Sequence, residues 1–188
     1  MILNLNSDWL KNCPEGLLDA LSRLAGESGI KLFVVGGAVR DRLSGSPVHD
    51  LDIAIPSGAL TFAGRLAADL GGTFVLLDEE EGVARVVWKG FDIDLADFRD
   101  QTTSIEDDLL KRDFTINAMA LCFSGESGKI EDKIIDPAGG RDDFHDGLVR
   151  VMSPTAFEND PLRLLRAYRF KAALGFQLEP DTEKWIGE

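Results

Sequence analysis

The segment Leu32-Phe-Val-Val-Gly36-Gly37, followed after one short stretch by His49-Asp-Leu-Asp-Ile-Ala-Ile55, constrains this chain more than any other feature. Two apolar runs of strand length flank Ala38–Leu43, which fits a short helix closed by the turn residues Ser44-Gly-Ser-Pro47. Residues two apart on a strand point to the same face, so Asp50 and Asp52 lie side by side. Two such charges about 4 Å apart repel by roughly 4 kcal/mol at an effective dielectric of about 20. A divalent cation relieves that repulsion, and carboxylate oxygens suit Mg²⁺. Gly36 and Gly37 stand at a strand end, where backbone N–H groups can cradle a phosphate. A glycine pair, a helix and a strand with paired aspartates together suggest a metal-dependent site for a nucleoside triphosphate.

The surrounding pattern is mixed α/β. Helices are expected over about residues 8–29, with Pro14 near the start, and over Ala59–Leu70, ended by Gly71-Gly72. Strands are expected near Thr73–Leu77, Ala84–Lys89 and Phe91–Phe98, with Lys89-Gly90 as a turn. Asp107–Leu121 reads as a helix, Ser124–Lys129 as a loop and Ile130–Asp136 as an extended piece. Arg141–Leu148 reads as a short helix or turn, and Ser153-Pro154 opens a helix to Leu174. The pattern becomes all-helical near residue 150, so a head of residues 1–150 and a second, helical unit of residues 151–188 are expected. The chain stops within an apparent further helix, as a truncated piece would.

Net charge of -13 disfavours a protein that coats nucleic acid indiscriminately, though not one with a local basic patch. No apolar run reaches membrane-spanning length, and the first residues lack the marks of a secretory signal. Cys13 and Cys122 have no metal-ligand spacing and read as two buried thiols of a cytoplasmic protein.

Further polar residues could join the aspartate pair. By alternation Asp92 and Asp94 share a strand face, and either could serve as general base or hold a second metal. In Leu110-Lys-Arg-Asp-Phe-Thr-Ile-Asn-Ala118, Arg112, Asp113 and Asn117 can meet phosphate or sugar hydroxyls; read alone, they equally suit caps and surface pairs. Arg163, Arg166 and Arg169 form a helical stripe beside Asp160, with Leu162, Leu165, Tyr168 and Ala172 elsewhere around the helix. Arginine forks match phosphate oxygens and base edges.

Taken together, Val35-Gly-Gly-Ala-Val-Arg-Asp41, His49-Asp-Leu-Asp52, Asp107–Ala120, Ile135-Asp-Pro-Ala-Gly-Gly140 and Phe157–Phe170 resemble the class II tRNA nucleotidyltransferase and bacterial poly(A) polymerase family. That family belongs to the DNA polymerase beta-like nucleotidyltransferases. The resemblance implies an α/β (α+β) head with a mixed or antiparallel sheet and flanking helices, followed by the start of a helical neck. It further implies template-independent, Mg²⁺-dependent addition of AMP, or AMP and CMP, to an RNA 3′ end. ATP, CTP and tRNA are the implied partners, and a poly(A) tail is the alternative product. A non-catalytic nucleotide-binding module and a small-molecule adenylyltransferase are the rival classes.

The resemblance assigns Asp50 and Asp52 to the metal, with Asp94 as third carboxylate. It assigns Gly37 and Arg40 to the triphosphate, Arg112 and Asp113 to the ribose motif, and Asp160 and Arg163 to the base edge, while Gly36 and Asn117 join as nucleotide contacts from the residue pattern above. Arg166 supports base or phosphates. Two positions depart from the pattern: Lys111 replaces the first arginine of Arg-Arg-Asp, and Asn159 replaces the glutamate before Asp160.

Overall fold

In the computed structural model, residues 7–124 and 129–187 are described. Helix α1 (Leu17–Ser28) precedes β1 (Leu32–Val35), α2 (Gly37–Ser44), β2 (Asp50–Ile55), α3 (Ala59–Leu70), β3 (Thr73–Asp78), β4 (Val83–Trp88) and β5 (Phe91–Asp97). Then come α4 (Ile105–Leu110), β6 (Ala120–Ser124), β7 (Lys129–Ile135), α5 (Gly140–Asp146) and β8 (Leu148–Val149). Helices α6 (Ala156–Asn159) and α7 (Leu162–Leu174), strand β9 (Gln177–Leu178) and helix α8 (Pro180–Ile186) follow.

Seven strands form one sheet in the order β3-β4-β5-β2-β1-β6-β7. All neighbours are antiparallel except β2 and β5, which run parallel. Alternation along the central strands divides the core. Leu32 and Val34 of β1, Leu51, Ile53 and Ile55 of β2, and Ile93 and Leu95 of β5 pack with α1 and α3. Phe33, Val35 and Ala54 face the other way, onto Phe98, Ile105 and Leu109. Asp50, Asp52, Asp92 and Asp94 belong to that second face by the two-residue period. The mixed sheet with flanking helices matches the expected fold class.

Three expected helices differ. The first is shorter: a 3-10 turn over Ser7–Leu10 is separated from α1 by Pro14 and by Gly16 at φ 93°. The helix expected over Asp107–Leu121 stops at Leu110 and gives way to a 3-10 turn at Thr115–Asn117, then to β6. Phe114 is extended (φ -131°) and bridges to Val151, while Asp113 Oδ1 accepts the Phe114 N–H at 2.9 Å. That local bond competes with helix, and β-branched Thr115 and Ile116 are poor helix formers in any case. The third helix is cut at Asp160-Pro161, with Asp160 extended (φ -148°), because a residue before proline is pushed out of the α region.

Beyond residue 150 the chain is not wholly helical, since β8 and β9 pair in parallel. A third apolar cluster joins Phe114 and Ile116 to Val149, Val151, Phe157, Ala167 and Phe170. On α7 the buried side chains are Ala167 and Phe170, while Leu162, Leu165 and Tyr168 are exposed. Cys13 and Cys122 are half-buried rather than buried, and burial pushes the Cys13 thiol up to about 11. No helix among the described residues is long and apolar enough to cross a membrane. Much of the expected Ser124–Lys129 loop, and the first six residues, lie outside the described residues.

Candidate active site

One cavity of about 530 Å³ opens beside the β2–β5 pair; its wall contains every residue that the resemblance assigns, but not Asp92, the alternative to Asp94. Asp50, Asp52 and Asp94 come from the sheet, and Gly36, Gly37 and Arg40 from the β1–α2 corner. Arg112, Asp113 and Asn117 lie between α4 and β6, while Asp160, Arg163 and Arg166 come from the start of α7. Asp41, Arg99, Arg169 and Phe170 also line it.

The parallel register places Asp52 opposite Asp94 and Asp50 opposite Asp92. Four carboxylates thus share one small area of sheet. Their neutralisation is uneven. Arg85 of β4 donates from Nε and Nη2 to both oxygens of Asp94, at 2.7 and 2.8 Å, and from Nη1 to Asp92 at 2.8 Å. Those bonds, with that to Asp94 foremost, raise the Arg85 pKa above its ordinary value. Asp50 and Asp52 have no ion pair among the described residues. Burial, then the charges of Asp50 and Asp94, push the Asp52 carboxyl up to about 6, with Arg112 and the Gly37 N–H opposing.

The glycine pair serves this carboxylate directly. The Gly37 N–H favours the charged form of the Asp52 carboxyl. Gly36 sits at φ 66°, and a Cβ there would lie 2.9 Å from Asp52 Oδ2. Glycine is required twice over, by backbone conformation and by the close approach.

Arg112 is buried against Asp108, donating from Nε at 3.2 Å and from Nη2 at 2.9 Å. Burial and nearby Arg99 lower its pKa despite the Asp108 charge. Asp108 is fully buried and also accepts the Arg99 backbone N–H at 2.9 Å. Sequence reading missed Asp108, although its i,i+4 spacing to Arg112 on a helix was a usable signal. Lys111, the departure from Arg-Arg-Asp, instead pairs with Asp100 at 3.3 Å on the surface.

A second polar chain crosses the cavity. Arg40 Nη1 donates to Asn117 Oδ1 at 2.9 Å, Asn117 Nδ2 donates to Asp113 Oδ1 at 3.4 Å, and Arg166 Nε donates to Asp113 Oδ2 at 2.7 Å. Phe170 lies beneath three guanidinium groups, those of Arg40, Arg166 and Arg169, at 5.5, 5.9 and 5.2 Å. Such cation–π contacts hold the cations in place without neutralising them. The Asp160–Arg163 pair is loose, at 3.7 Å, and Asp160 Oδ1 accepts the Leu162 N–H.

A metal ion has a consistent place here. Among the described residues no three Asp, Glu, His or Cys side chains converge on one point. The residues that could hold a metal are the Asp50 and Asp52 carboxylates, which make no ion pair among the described residues. Mg²⁺ is typically held by one or two carboxylates, with substrate phosphates and waters completing its shell. The hard oxygen donors and the uncompensated charge fit such an ion.

The poly A polymerase head domain family matches residues 32–150. A CC-adding tRNA nucleotidyltransferase of Geobacter sulfurreducens is 42% identical over 164 residues, 86% of this chain and 36% of that protein. An A-adding tRNA nucleotidyltransferase of Halalkalibacterium halodurans is 34% identical over 196 residues, 96% of this chain and 44% of that protein. A crystal structure of a tRNA nucleotidyltransferase with a primer tRNA and an incoming ATP analogue shares 37% identity and a TM-score of 0.76. That alignment covers 88% of this chain and 48% of the other. This chain spans less than half the length of these relatives. With the match over residues 32–150 and relatives 34% and 42% identical along most of its length, the chain belongs to the poly A polymerase head domain family.

Proposed function

We propose that this chain is the catalytic head, residues 1–150, and the start of the neck, residues 151–188, of a cytoplasmic, Mg²⁺-dependent tRNA nucleotidyltransferase. It joins CMP or AMP to a tRNA 3′ end. The observation that carries this reading is the contrast in charge pairing. Asp92, Asp94, Asp108 and Asp113 are each bonded to arginine, whereas Asp50 and Asp52 make no ion pair among the described residues. Relatives that add CC or A, and a related structure holding primer tRNA and an ATP analogue, support the substrate class.

In the proposed reaction the primer 3′-oxygen bonds to the α-phosphorus of the incoming nucleotide, and the bond to pyrophosphate breaks. Asp50 and Asp52 hold the metal, which when bound supplies Lewis-acid stabilisation of charge on the phosphate oxygens. Gly36 and Gly37, at the end of β1 and in the cavity wall, offer backbone N–H groups to the triphosphate. Arg40, set by Asn117 and Phe170, presents donors to the triphosphate. Arg112 and Asp113 stand at the ribose, and Asp94 beside Asp52 is the third carboxylate. Asp160 and Arg163, only loosely paired, offer an acceptor and donors to the Watson–Crick edge of the base. Arg166 anchors that helix to Asp113.

The test uses the full-length protein with tRNA ending before CCA, in CC or in CCA, each given CTP or ATP, with added nucleotides counted. Addition to at least one of these ends is expected. No addition to any of them in the presence of Mg²⁺ would exclude the reading.

A further inference from the structure

Arg85 is the one strand residue that bonds two of the four clustered carboxylates. Its place follows from local geometry. The β4–β5 hairpin turns on Lys89 and Gly90, both at positive φ, and pairs Trp88 with Phe91. Counting back along the register puts Arg85 opposite Asp94. Asp94 in turn stands opposite Asp52 across the parallel pair. A row therefore runs Arg85–Asp94–Asp52 across three strands, with Asp92 and Asp50 forming the neighbouring row.

Both Asp94 oxygens accept from Arg85, in a geometry that the planar guanidinium fork matches and an ammonium group does not. A carboxylate held in this way has its best lone pairs taken. We propose that Arg85 is a positioning residue that withholds Asp94 from metal, so that in the nucleotide-free head a divalent cation meets only Asp50 and Asp52. This rests on the reading of Asp50 and Asp52 as the metal pair. The metal is then bound weakly by the protein alone and firmly only with the triphosphate oxygens that complete its shell. Metal and nucleotide uptake are coupled as a result.

The experiment measures Mn²⁺ binding to the nucleotide-free full-length protein by the loss of its free-ion EPR signal. Arg85→Gln should bind Mn²⁺ about tenfold more tightly than wild type, because a third carboxylate becomes available to a hard, oxygen-preferring cation. Arg85→Lys keeps the charge but loses the fork, so it should also tighten binding. If Arg85→Gln does not fold, this variant carries the test alone. In an Asp94→Asn background the further change Arg85→Gln should tighten binding less than about twofold, because the released ligand is gone.

Unchanged or weaker Mn²⁺ binding in Arg85→Gln or, if that variant does not fold, in Arg85→Lys would overturn the proposal. So would an equal gain with and without Asp94, which would show that Arg85 acts by charge alone. Asp50→Ala separates the two readings: Mn²⁺ binding that survives it would mean the metal pair itself was assigned wrongly.

Discussion

Asp113 and Arg166, 53 residues apart in sequence, are joined by a 2.7 Å charge-assisted hydrogen bond that ties helix α7 to the sheet domain. Through Asn117 the same Asp113 reaches Arg40 at the glycine corner. Helix α7 and Arg40, proposed to meet base and triphosphate, are therefore positioned by one continuous polar chain. Breaking it at Arg166 should disturb nucleotide binding more than folding. Arg166→Ala is expected to weaken ATP and CTP affinity about tenfold, consistent with the ~1.5–3 kcal/mol of a hydrogen bond to a charged group partly offset by solvent. Nucleotide titration of the variant, alongside Arg166→Lys, measures this.

Asp108 is expected to matter for stability. It is fully buried and bonds both Arg112 and Arg99. Asp108→Ala strands the buried Arg112 guanidinium, which costs about 3–5 kcal/mol. Urea unfolding should show the loss as a lower midpoint.

Gly36 should tolerate no side chain. Gly36→Ala combines a strained backbone conformation (φ 66°, ψ -131°), costing roughly 1–3 kcal/mol, with a Cβ at 2.9 Å from Asp52 Oδ2. The carboxylate must shift, and a misplacement of this kind lowers kcat on the order of a hundredfold. Steady-state incorporation by the full-length variant, with its melting temperature measured in parallel, tests the split.

Asp50→Ala should abolish nucleotide incorporation while ATP binding stays measurable. The residues proposed to hold base and triphosphate, Asp160, Arg163 and Arg40, lie on other elements. Retained incorporation would remove the metal assignment, and filter binding of labelled ATP checks the second half.

Acid should loosen the C-terminal helix α8 through Glu179. Burial pushes this carboxyl up, but the N–H groups of Thr182 and Asp181, the Thr182 hydroxyl and Arg150 outweigh it, so its pKa is lowered. Its contribution is complete above the ordinary glutamate value, about 4.3. It is lost as pH falls from there through the lowered folded value. Glu179→Gln should flatten the pH dependence of the urea midpoint in that window.

The sequence by itself determined what depends on short-range geometry. Strand alternation placed Asp50 with Asp52 and Asp92 with Asp94, because successive side chains of a strand point to opposite faces. The two-residue turn at Lys89-Gly90 likewise implied that Arg85 opposes Asp94, a relation present in the spacing but not drawn from it. Family motifs then marked Gly36, Gly37, Arg40, Arg112, Asp113, Asn117, Asp160, Arg163 and Arg166, all of which line the same cavity.

Tertiary structure decided the relations between distant segments. The parallel pairing of β2 with β5 brings Asp52 beside Asp94, and no local pattern sets that register. Burial of Phe114 and Ile116 against Val151 and Phe170 broke a helix that periodicity favoured, since packing outweighs a weak propensity. Which aspartates pair with arginine was also decided there. Arginines from β4, α7 and the turn after α4 reach Asp94, Asp113 and Asp108, and none makes an ion pair with Asp50 or Asp52 among the described residues. A carboxylate's availability depends on its neighbours in space, and those come from parts of the chain far from it in sequence.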